Sequence, residues 1–404
     1  MRIAALFTTL VATTSLAACG QTVDSSVGGE YVASILSAMN AANLTAFVSA
    51  AQAVANTTEG AAFLAAMNQT YSGGDRTLFA PRNEAFASVP ESVSSNTTLL
   101  ANILSYHLFD HPVEPRKIGG SFSKTGQTLY NNGLLPGNEG QLLVMAALNI
   151  TETGNYTLMF PYQGNNQTVY GSISPVPGTN FTVYPIDAVL TIPQPLSEVA
   201  VTFFPDTAKL IQQADLLGSL AETKGITILA PNDDAISAAG DLIGTLNSTQ
   251  LQAVLSNHVI NGTVAYTTPF SDTLNYTSAS GESLNFLVNA TGGYVTSGDT
   301  TARLLTVDIP IANGVVHIID RVLANTNSNP VAAESAASSY AVQATATTSR
   351  AGSSPTMGSA TGAASGAATS VKASSAQLSV PFSSRVVGSA IAVLAGMFAG
   401  VALF

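Results

Sequence analysis

The chain has 404 residues, of which 46% are hydrophobic and only 9% are charged, and its formal net charge is −11. So few basic residues argue against nucleic-acid binding, which needs clustered lysine and arginine to displace the counterions of the phosphates. The single cysteine excludes a disulfide framework, so the stability of two domains of ordinary size must come from their hydrophobic cores.

Residues 1–20 have the pattern of a secretory signal peptide. One arginine precedes a short apolar run, and small residues around Ala18 offer a cleavage site. The run is too short to span a membrane. Leu16 to Cys19 also match a bacterial lipobox, in which Cys19 would be acylated, and this alternative stays open.

The apolar pattern predicts helices early and strands late in each half of the chain. Residues spaced as on a helix face predict helices within 31–55 and 61–67. Apolar runs at 78–80 and 226–230 predict buried strands, each ended by proline and followed by Asn or Asp that can start a new helix near Glu84 or Asp234. Further strands are expected at 142–148, 157–160, 181–184, 284–288 and 315–319. This order indicates an α+β fold.

Three sequence boxes occur twice in the same order. Residues 78–86 recur at 228–236, residues 104–107 at 255–258, and residues 183–190 at 316–323. We interpret the repeat as a duplicated domain, with domain 1 at 29–193 and domain 2 at 194–325. The joint at 191–196 carries two prolines, so the two domains are expected to fold separately. Domain 1 holds extra residues between its second and third boxes, expected as an insertion at 131–171.

The boxes resemble the signatures of the fasciclin domain family. Residues 77–86 and 313–323 are similar to its first and last boxes, and Tyr106-His107 is similar to its Tyr-His motif. The resemblance covers both domains and implies, in each, a β-sandwich wedge of about seven strands with packed helices. It also implies an extracellular adhesion role without conserved catalytic machinery. Asn257 replaces the motif tyrosine in domain 2, and Tyr184 stands where domain 2 has His317, so a partner reading this region would distinguish the domains.

The motif residues are interpreted as structural. Asp187 and Asp320 lie in apolar runs, so their carboxylates are expected to be partly buried and to accept hydrogen bonds. His107 and His258 end helical patterns and are expected to hydrogen-bond between the boxes. The full set of motif residues is Pro81, Asn83, Tyr106, His107, Asp187, Pro231, His258, His317 and Asp320.

The sequence indicates no enzyme, cofactor or metal site. His107, Asp110 and His111 have metal-like spacing, but Pro112 disfavours a helix there, and domain 2 has no second histidine at the corresponding place. There is no Gly-x-Ser-x-Gly elbow and no Gly-rich phosphate loop. An unrecognised secreted hydrolase is the remaining enzymatic alternative.

The high frequency of Asn-x-Thr predicts a sugar-coated extracellular surface. The sequon occurs twelve times and Asn-x-Ser never, which favours a eukaryotic secretory route. The predicted N-glycosylation sites are Asn43, Asn56, Asn68, Asn96, Asn149, Asn155, Asn166, Asn180, Asn247, Asn261, Asn275 and Asn289.

The C-terminal part predicts a stalk and a lipid anchor. Residues 326–376 are rich in Ala, Ser, Thr and Gly, which is typical of a disordered stalk. Small residues around Ser374, a polar spacer and an apolar tail predict a glycosylphosphatidylinositol signal at 377–404, with attachment at Ser374. A plain transmembrane anchor is the alternative.

These features predict a non-enzymatic adhesion protein on the outer face of the plasma membrane or in the cell wall, similar to fungal anchored fasciclin proteins. Its expected partners are extracellular or cell-wall proteins or glycans, and the lipid would attach it to the membrane. The alternative is a glycan-binding module in which Tyr156, Tyr162 and Tyr170 line a sugar site.

Overall fold

The computed structural model describes residues 27–68, 76–113, 124–150, 156–160, 162–163, 166–169, 176, 181–267, 274–289 and 291–351. The predicted signal peptide, Cys19 and Ser374 lie outside these residues. No helix in the described ranges is long and apolar enough to cross a membrane.

Domain 1 begins with three helices, α1 (Val27–Ala41), α2 (Thr45–Val54) and α3 (Thr58–Asn68). The helical pattern predicted over 31–55 is broken at Asn43, which has a φ of +62°, a conformation that asparagine tolerates better than most residues. The apolar faces of the helices meet in one core, where Met39 and Phe47 are fully buried.

The rest of domain 1 forms a seven-stranded sheet with short helices between its first two strands. Its elements are β1 (Arg76–Pro81), α4 (Asn83–Phe86), α5 (Glu91–Ser94), α6 (Thr97–Tyr106), β2 (Leu108–Phe109), β3 (Lys124–Gln127), β4 (Leu142–Ile150), β5 (Tyr156–Met159), β6 (Asn166–Val169) and β7 (Phe181–Ile186). The strand order is β2-β1-β7-β6-β5-β4-β3. Among the described strands of this sheet only β1 and β7 run parallel, with Leu78 opposite Val183.

Successive side chains of β1 point alternately into two different hydrophobic cores. Leu78 and Ala80 face the helices, whereas Phe79 faces a second core enclosed by the sheet, in which its ring packs against Phe109 and Phe160. The buried central strands therefore read as continuous apolar runs in the sequence.

Domain 2 repeats this order. Its elements are α7 (Leu196–Phe203), α8 (Pro205–Gln213), α9 (Leu217–Glu222), β8 (Ile226–Pro231), α10 (Asp233–Ala238), α11 (Gly240–Thr245), α12 (Ser248–Asn257), β9 (Val259–Asn261), β10 (Leu274–Thr277), β11 (Ser283–Asn289), β12 (Gly292–Ser297), β13 (Thr300–Ile311) and β14 (Gly314–Ile319). The sheet order is β10-β11-β12-β13-β14-β8-β9, and β8 pairs parallel with β14. The α+β class and the duplication are confirmed.

The extra residues of domain 1 are spread over several connections. The connection from β3 to β4 covers 128–141, whereas the corresponding connection in domain 2 covers 278–282. The connection from β6 to β7 covers 170–180, against 312–313 in domain 2. The first of these long connections includes a 3-10 turn at Pro136–Asn138 and hydrogen-bonds to domain 2.

The predicted stalk is wrong over its first part, because residues Pro330–Ala351 form a helix, α13. Alanine is the best helix former, and Asn329 caps the helix by accepting a hydrogen bond from the amide of Ala332. Tyr340 holds the helix on domain 2, where its hydroxyl accepts from the amide of Thr277 at 3.0 Å and its ring packs on Tyr276. The remainder of the predicted stalk, 352–376, lies outside the described residues.

Two amide side chains of domain 1 bind one carbonyl of domain 2. Asn132 and Gln141 both donate to the carbonyl of Ala312, at 2.6 and 2.7 Å. Nearby, the amide of Gly225 donates to the carbonyl of Leu134 at 3.0 Å. The long connection of domain 1 is thus tied to the ends of two strands of domain 2.

An apolar cluster extends this interface. Val144 of domain 1 packs with Tyr266 and Val315 of domain 2, and all three side chains are buried. The domains therefore share an apolar contact in addition to their linker, so their stabilities should be coupled. Separate folding remains a prediction, but the interface argues against fully independent melting.

Candidate interaction sites

His107 and His258 are buried at equivalent positions, and each links the end of a helix to the closing box of its domain by hydrogen bonds. In each, Nδ1–H donates to the carbonyl four residues earlier, Ile103 or Val254, at 2.7 Å. Nε2 accepts from a backbone amide of the closing box, Leu190 or Leu323, at 2.9 Å. This pattern requires the neutral Nδ1–H tautomer.

The electrostatics of these two sites agree with that assignment. Burial lowers the pKa of both His107 and His258 to about 4, although the hydrogen bond to a carbonyl opposes the shift. Both ring nitrogens are engaged, so neither imidazole is available to a substrate or a metal. Within the described residues no group of three or more metal-ligating side chains occurs, and His111 contacts Asp110 rather than His107.

The motif tyrosine of domain 1, Tyr106, and the residue that replaces it in domain 2, Asn257, are both fully buried. The hydroxyl of Tyr106 donates to the carbonyl of Leu142 at 3.1 Å. In domain 2, Asn257 donates to the hydroxyl of Ser297 at 2.8 Å. Neither side chain is exposed, whereas Tyr184, the other difference between the domains, is half-buried. Discrimination between the domains by a partner stays a prediction.

His317 belongs to a buried cluster that sequence reasoning missed. Its Nδ1 accepts from the amide of Asp308 at 3.1 Å, and its Nε2–H donates to the carbonyl of Ala265 at 2.8 Å. Asp308, also fully buried, accepts from the amide and the hydroxyl of Thr267. Burial lowers the pKa of His317, and the Asp308 carboxylate works against that shift. The cluster closes an irregularity in the β13–β14 pairing, where Asp308 has a φ of +62°.

The residues that follow Pro81 and Pro231 join strand ends to helix starts. Asn83 accepts a hydrogen bond from the amide of Ala46 at 2.8 Å, and Asp233 accepts one from the amide of Asp206 at 3.2 Å. These equivalent contacts fix the first turns of α2 and α8 against the sheet. They also align the helices of the two domains residue by residue.

The closing aspartates are exposed, so the prediction that they are partly buried is wrong. Each stands one residue beyond the end of its strand, where the chain has left the sheet. Asp187 lies 3.8 Å from the guanidinium of Arg82. Asp320 accepts from the amide of Arg303 at 2.8 Å. Both domains therefore present a carboxylate to solvent at the same corner.

Two equivalent sequons begin the helix that leads to each buried histidine. Asn96 and Asn247 are exposed N-caps, and their side-chain oxygens accept from the amides of Leu99 and Gln250. Because a cap uses only Oδ1, Nδ2 remains available for a glycan. The other sequons with exposed asparagines are Asn43, Asn56, Asn68 and Asn275.

The remaining sequons are placed differently. Asn289 is half-buried, and so is Asn261, whose Oδ1 is fully enclosed. The side chains of Asn149 and Asn166, and the whole of Asn155 and Asn180, lie outside the described residues.

Tyr162 does not form an open sugar platform. Its ring packs edge-on against Phe203 of domain 2 at 5.9 Å, and its hydroxyl donates to the carbonyl of Val307 at 2.5 Å. It is an interface residue. The side chain of Tyr156 and the whole of Tyr170 lie outside the described residues.

Comparison with known proteins places both domains in one family. A family model described as the fasciclin domain matches residues 42–193 and 203–325. The chain is 25% identical over 149 residues to the fasciclin-like arabinogalactan protein CTB11 of Cercospora beticola, which is 37% of this chain and 39% of that protein. It is 26% identical over 265 residues to a fasciclin-like arabinogalactan protein of Arthroderma benhamiae, which is 62% of this chain and 59% of that protein.

The chain thus spans between about two fifths and three fifths of the length of these relatives. Among solved structures, a FAS1 domain pair from the insect cell adhesion molecule Fasciclin I is 20% identical. That match covers 69% of this chain and 96% of the other, with a TM-score of 0.33.

Proposed function

The chain belongs to the fasciclin family, and from this we propose that it is a non-enzymatic adhesion protein of the cell surface or cell wall. The observation that carries the proposal is the exposed carboxylate at the same corner of both domains, Asp187 and Asp320. A duplicated acidic corner suits repeated, weak contacts with extracellular or cell-wall proteins or glycans, in which two binding sites on one chain raise the avidity.

The hydrogen bonds of the motif histidines favour a binding role over catalysis, because they leave no imidazole nitrogen for a substrate. All three motif histidines are buried and hydrogen-bonded at both ring nitrogens. Exposed sequons add to the picture of an extracellular surface. Attachment by a glycosylphosphatidylinositol lipid at Ser374 is part of this proposal, since it would place the domains outside the cell.

The test is an adhesion assay with the full chain displayed on non-adherent cells. Binding to immobilised cell-wall and surface extracts should exceed that of cells without the chain. The double variant Asp187→Asn/Asp320→Asn should lower retention about tenfold if these side chains are central to the contact. Asp241→Asn is the matched control, because Asp241 is an exposed aspartate on α11, away from the strand ends.

Equal retention of cells with and without the chain would refute adhesion. Normal adhesion by the double variant would be compatible with an adhesion role but would show that Asp187 and Asp320 do not make the contact. A glycan array with the same protein separates sugar ligands from protein partners.

A further inference from the structure

Domain 2 contains an apolar cavity between its helices and its sheet, with a volume of about 230 Å³. It lies between α8 and α9 on one side and α11 and α12 on the other, and the face of β9 that carries Val259 and Asn261 forms its floor. Its walls are mostly leucine, isoleucine and valine, including Leu210, Leu220 and Leu255.

Comparison with domain 1 shows why the cavity exists. The equivalent contacts of Asn83 and Asp233 align Ala46 with Asp206, and hence Phe47 with Thr207. In domain 1 the Phe47 ring is fully buried and packs against Phe63, with ring centroids 6.4 Å apart. Where domain 1 places a phenyl ring, domain 2 therefore places a hydroxyl and a methyl group.

At two further positions that line the cavity, domain 2 also has a smaller side chain than domain 1. Ile236 lines the cavity at the position of Phe86, and Val254 lines it at the position of Ile103. As a consequence α2 and α3 pack directly on α6 in domain 1, whereas the corresponding helices of domain 2 have little contact across the cavity. These three smaller side chains leave a space that Leu210 and Ile211, which stand in place of Ala50 and Ala51, do not fill.

Three hydroxyl groups that line the cavity are satisfied, and one amide oxygen is not. The hydroxyls of Thr207, Ser219 and Thr223 each donate to a backbone carbonyl. Asn261 lines the cavity, and its Oδ1 is enclosed without a hydrogen-bond partner in the described part of the chain. A buried acceptor without a partner is costly, and a ligand with one N–H or O–H donor would satisfy it.

We propose that this cavity is a binding site for a small aromatic molecule that carries one hydrogen-bond donor, held by apolar contact and by Asn261 Oδ1. Apolar cavities of roughly 150 Å³ are known to stay dry and to bind benzene, so the larger space here suits a bicyclic ring. The site is independent of the acidic corner, and it adds a ligand-binding activity to the proposed adhesion role.

The probes are indole and indene, which have nearly the same shape but differ in that only indole donates a hydrogen bond. Calorimetric titration of the purified full chain should show indole binding, and indene should bind about fivefold to tenfold more weakly. In Asn261→Leu the two probes should bind equally. Thr263→Ala is the matched control, because it removes the Asn261 sequon and keeps the amide.

Filling the cavity tests its location. Thr207→Phe and Ile236→Phe each introduce the residue that domain 1 has at that position, and either should abolish binding of both probes. Two variants are used so that one misfolded protein does not decide the result, and the melting curve identifies the folded one. The Asp187→Asn/Asp320→Asn protein should bind indole normally, which separates this proposal from the adhesion role.

The proposal is overturned if neither probe binds, if a folded filled variant still binds indole, or if wild-type protein binds indole and indene equally.

Discussion

Lowering the pH from 7 to 5 should weaken the folded state, because His107 and His258 are neutral in the core. Each has a folded pKa of about 4 against an ordinary value of 6.5. The unfolded chain therefore binds more protons between these values, and the free energy of unfolding falls as the pH falls. The full contribution is present above pH 6.5 and is lost progressively towards pH 4.

The expected loss follows from these two pKa values. Each histidine should lower the free energy of unfolding by about 2 kcal/mol at pH 5 and by about 3 kcal/mol at pH 4. His317, whose pKa is also lowered by burial, acts in the same direction. Most carboxyl groups have ordinary pKa values of about 4 and are still ionised between pH 7 and 5. A change in stability in this window therefore reports mainly on the histidines.

Urea unfolding at pH 7, 6 and 5 measures the effect, followed by circular dichroism because the chain has no tryptophan. His258→Asn should lower the stability of domain 2 at pH 7 by about 1 to 3 kcal/mol, since the amide of Leu323 loses its acceptor. The same variant should remove about 2 kcal/mol of the loss between pH 7 and 5. His107→Asn is the matched control and should act on domain 1. A wild-type unfolding free energy that is flat from pH 7 to 5 would refute this reasoning.

Four other outcomes are expected. Val144→Asp should open the contact between the domains and split their coupled calorimetric transition into two, because a carboxylate replaces a buried side chain at the interface. Asp320→Ala should lower the stability of its domain by only about 0.5 to 1.5 kcal/mol, because its hydrogen-bonded carboxylate is already exposed. Glycopeptide mass spectrometry should find Asn96 occupied and Asn261 empty, as their exposure differs. Phosphatidylinositol-specific phospholipase should release the chain from intact cells if Ser374 carries the lipid.

Each of these has a contradicting result. An unchanged melting profile in the Val144 variant would mean that the interface does not couple the domains. A loss above about 3 kcal/mol for Asp320→Ala would restore the buried, structural interpretation. A glycan on Asn261 would mean that its side chain leaves the cavity in which its Oδ1 is enclosed. Retention in the membrane after phospholipase would favour the transmembrane alternative, and release by Cys19→Ser would favour acylation.

Sequence reasoning succeeded where the determining contacts are local or repeated. The central strands of both domains are short apolar runs ended by proline, so β1 and β8 could be predicted before their partners were known. The repeat of the boxes then identified the two domains. The sequence also marked His107 and His258, because they follow the same helix in both copies.

The errors come from contacts that local patterns do not contain. Asp187 and Asp320 follow apolar runs, but each strand ends one residue earlier, which alternation along the run does not reveal. The composition of α13 is compatible with a disordered segment or with a helix, and the contact of Tyr340 with Tyr276 favours the helix. The positive φ and the burial of Asp308 arise where the β13–β14 pairing is irregular.

The duplication also explains how two domains with one fold can have different roles. In domain 1, Phe47 fills the space under the helices, and the long connection that carries Gln141 binds the neighbouring domain. In domain 2, Thr207 leaves that space open, while the carbonyl of Ala312 accepts the hydrogen bonds from domain 1. Because the same backbone tolerates both arrangements, the side chains of one domain are the natural replacements for testing the other. Exchange of Phe47 and Thr207 should therefore change ligand binding in domain 2 without changing the strand order of either sheet.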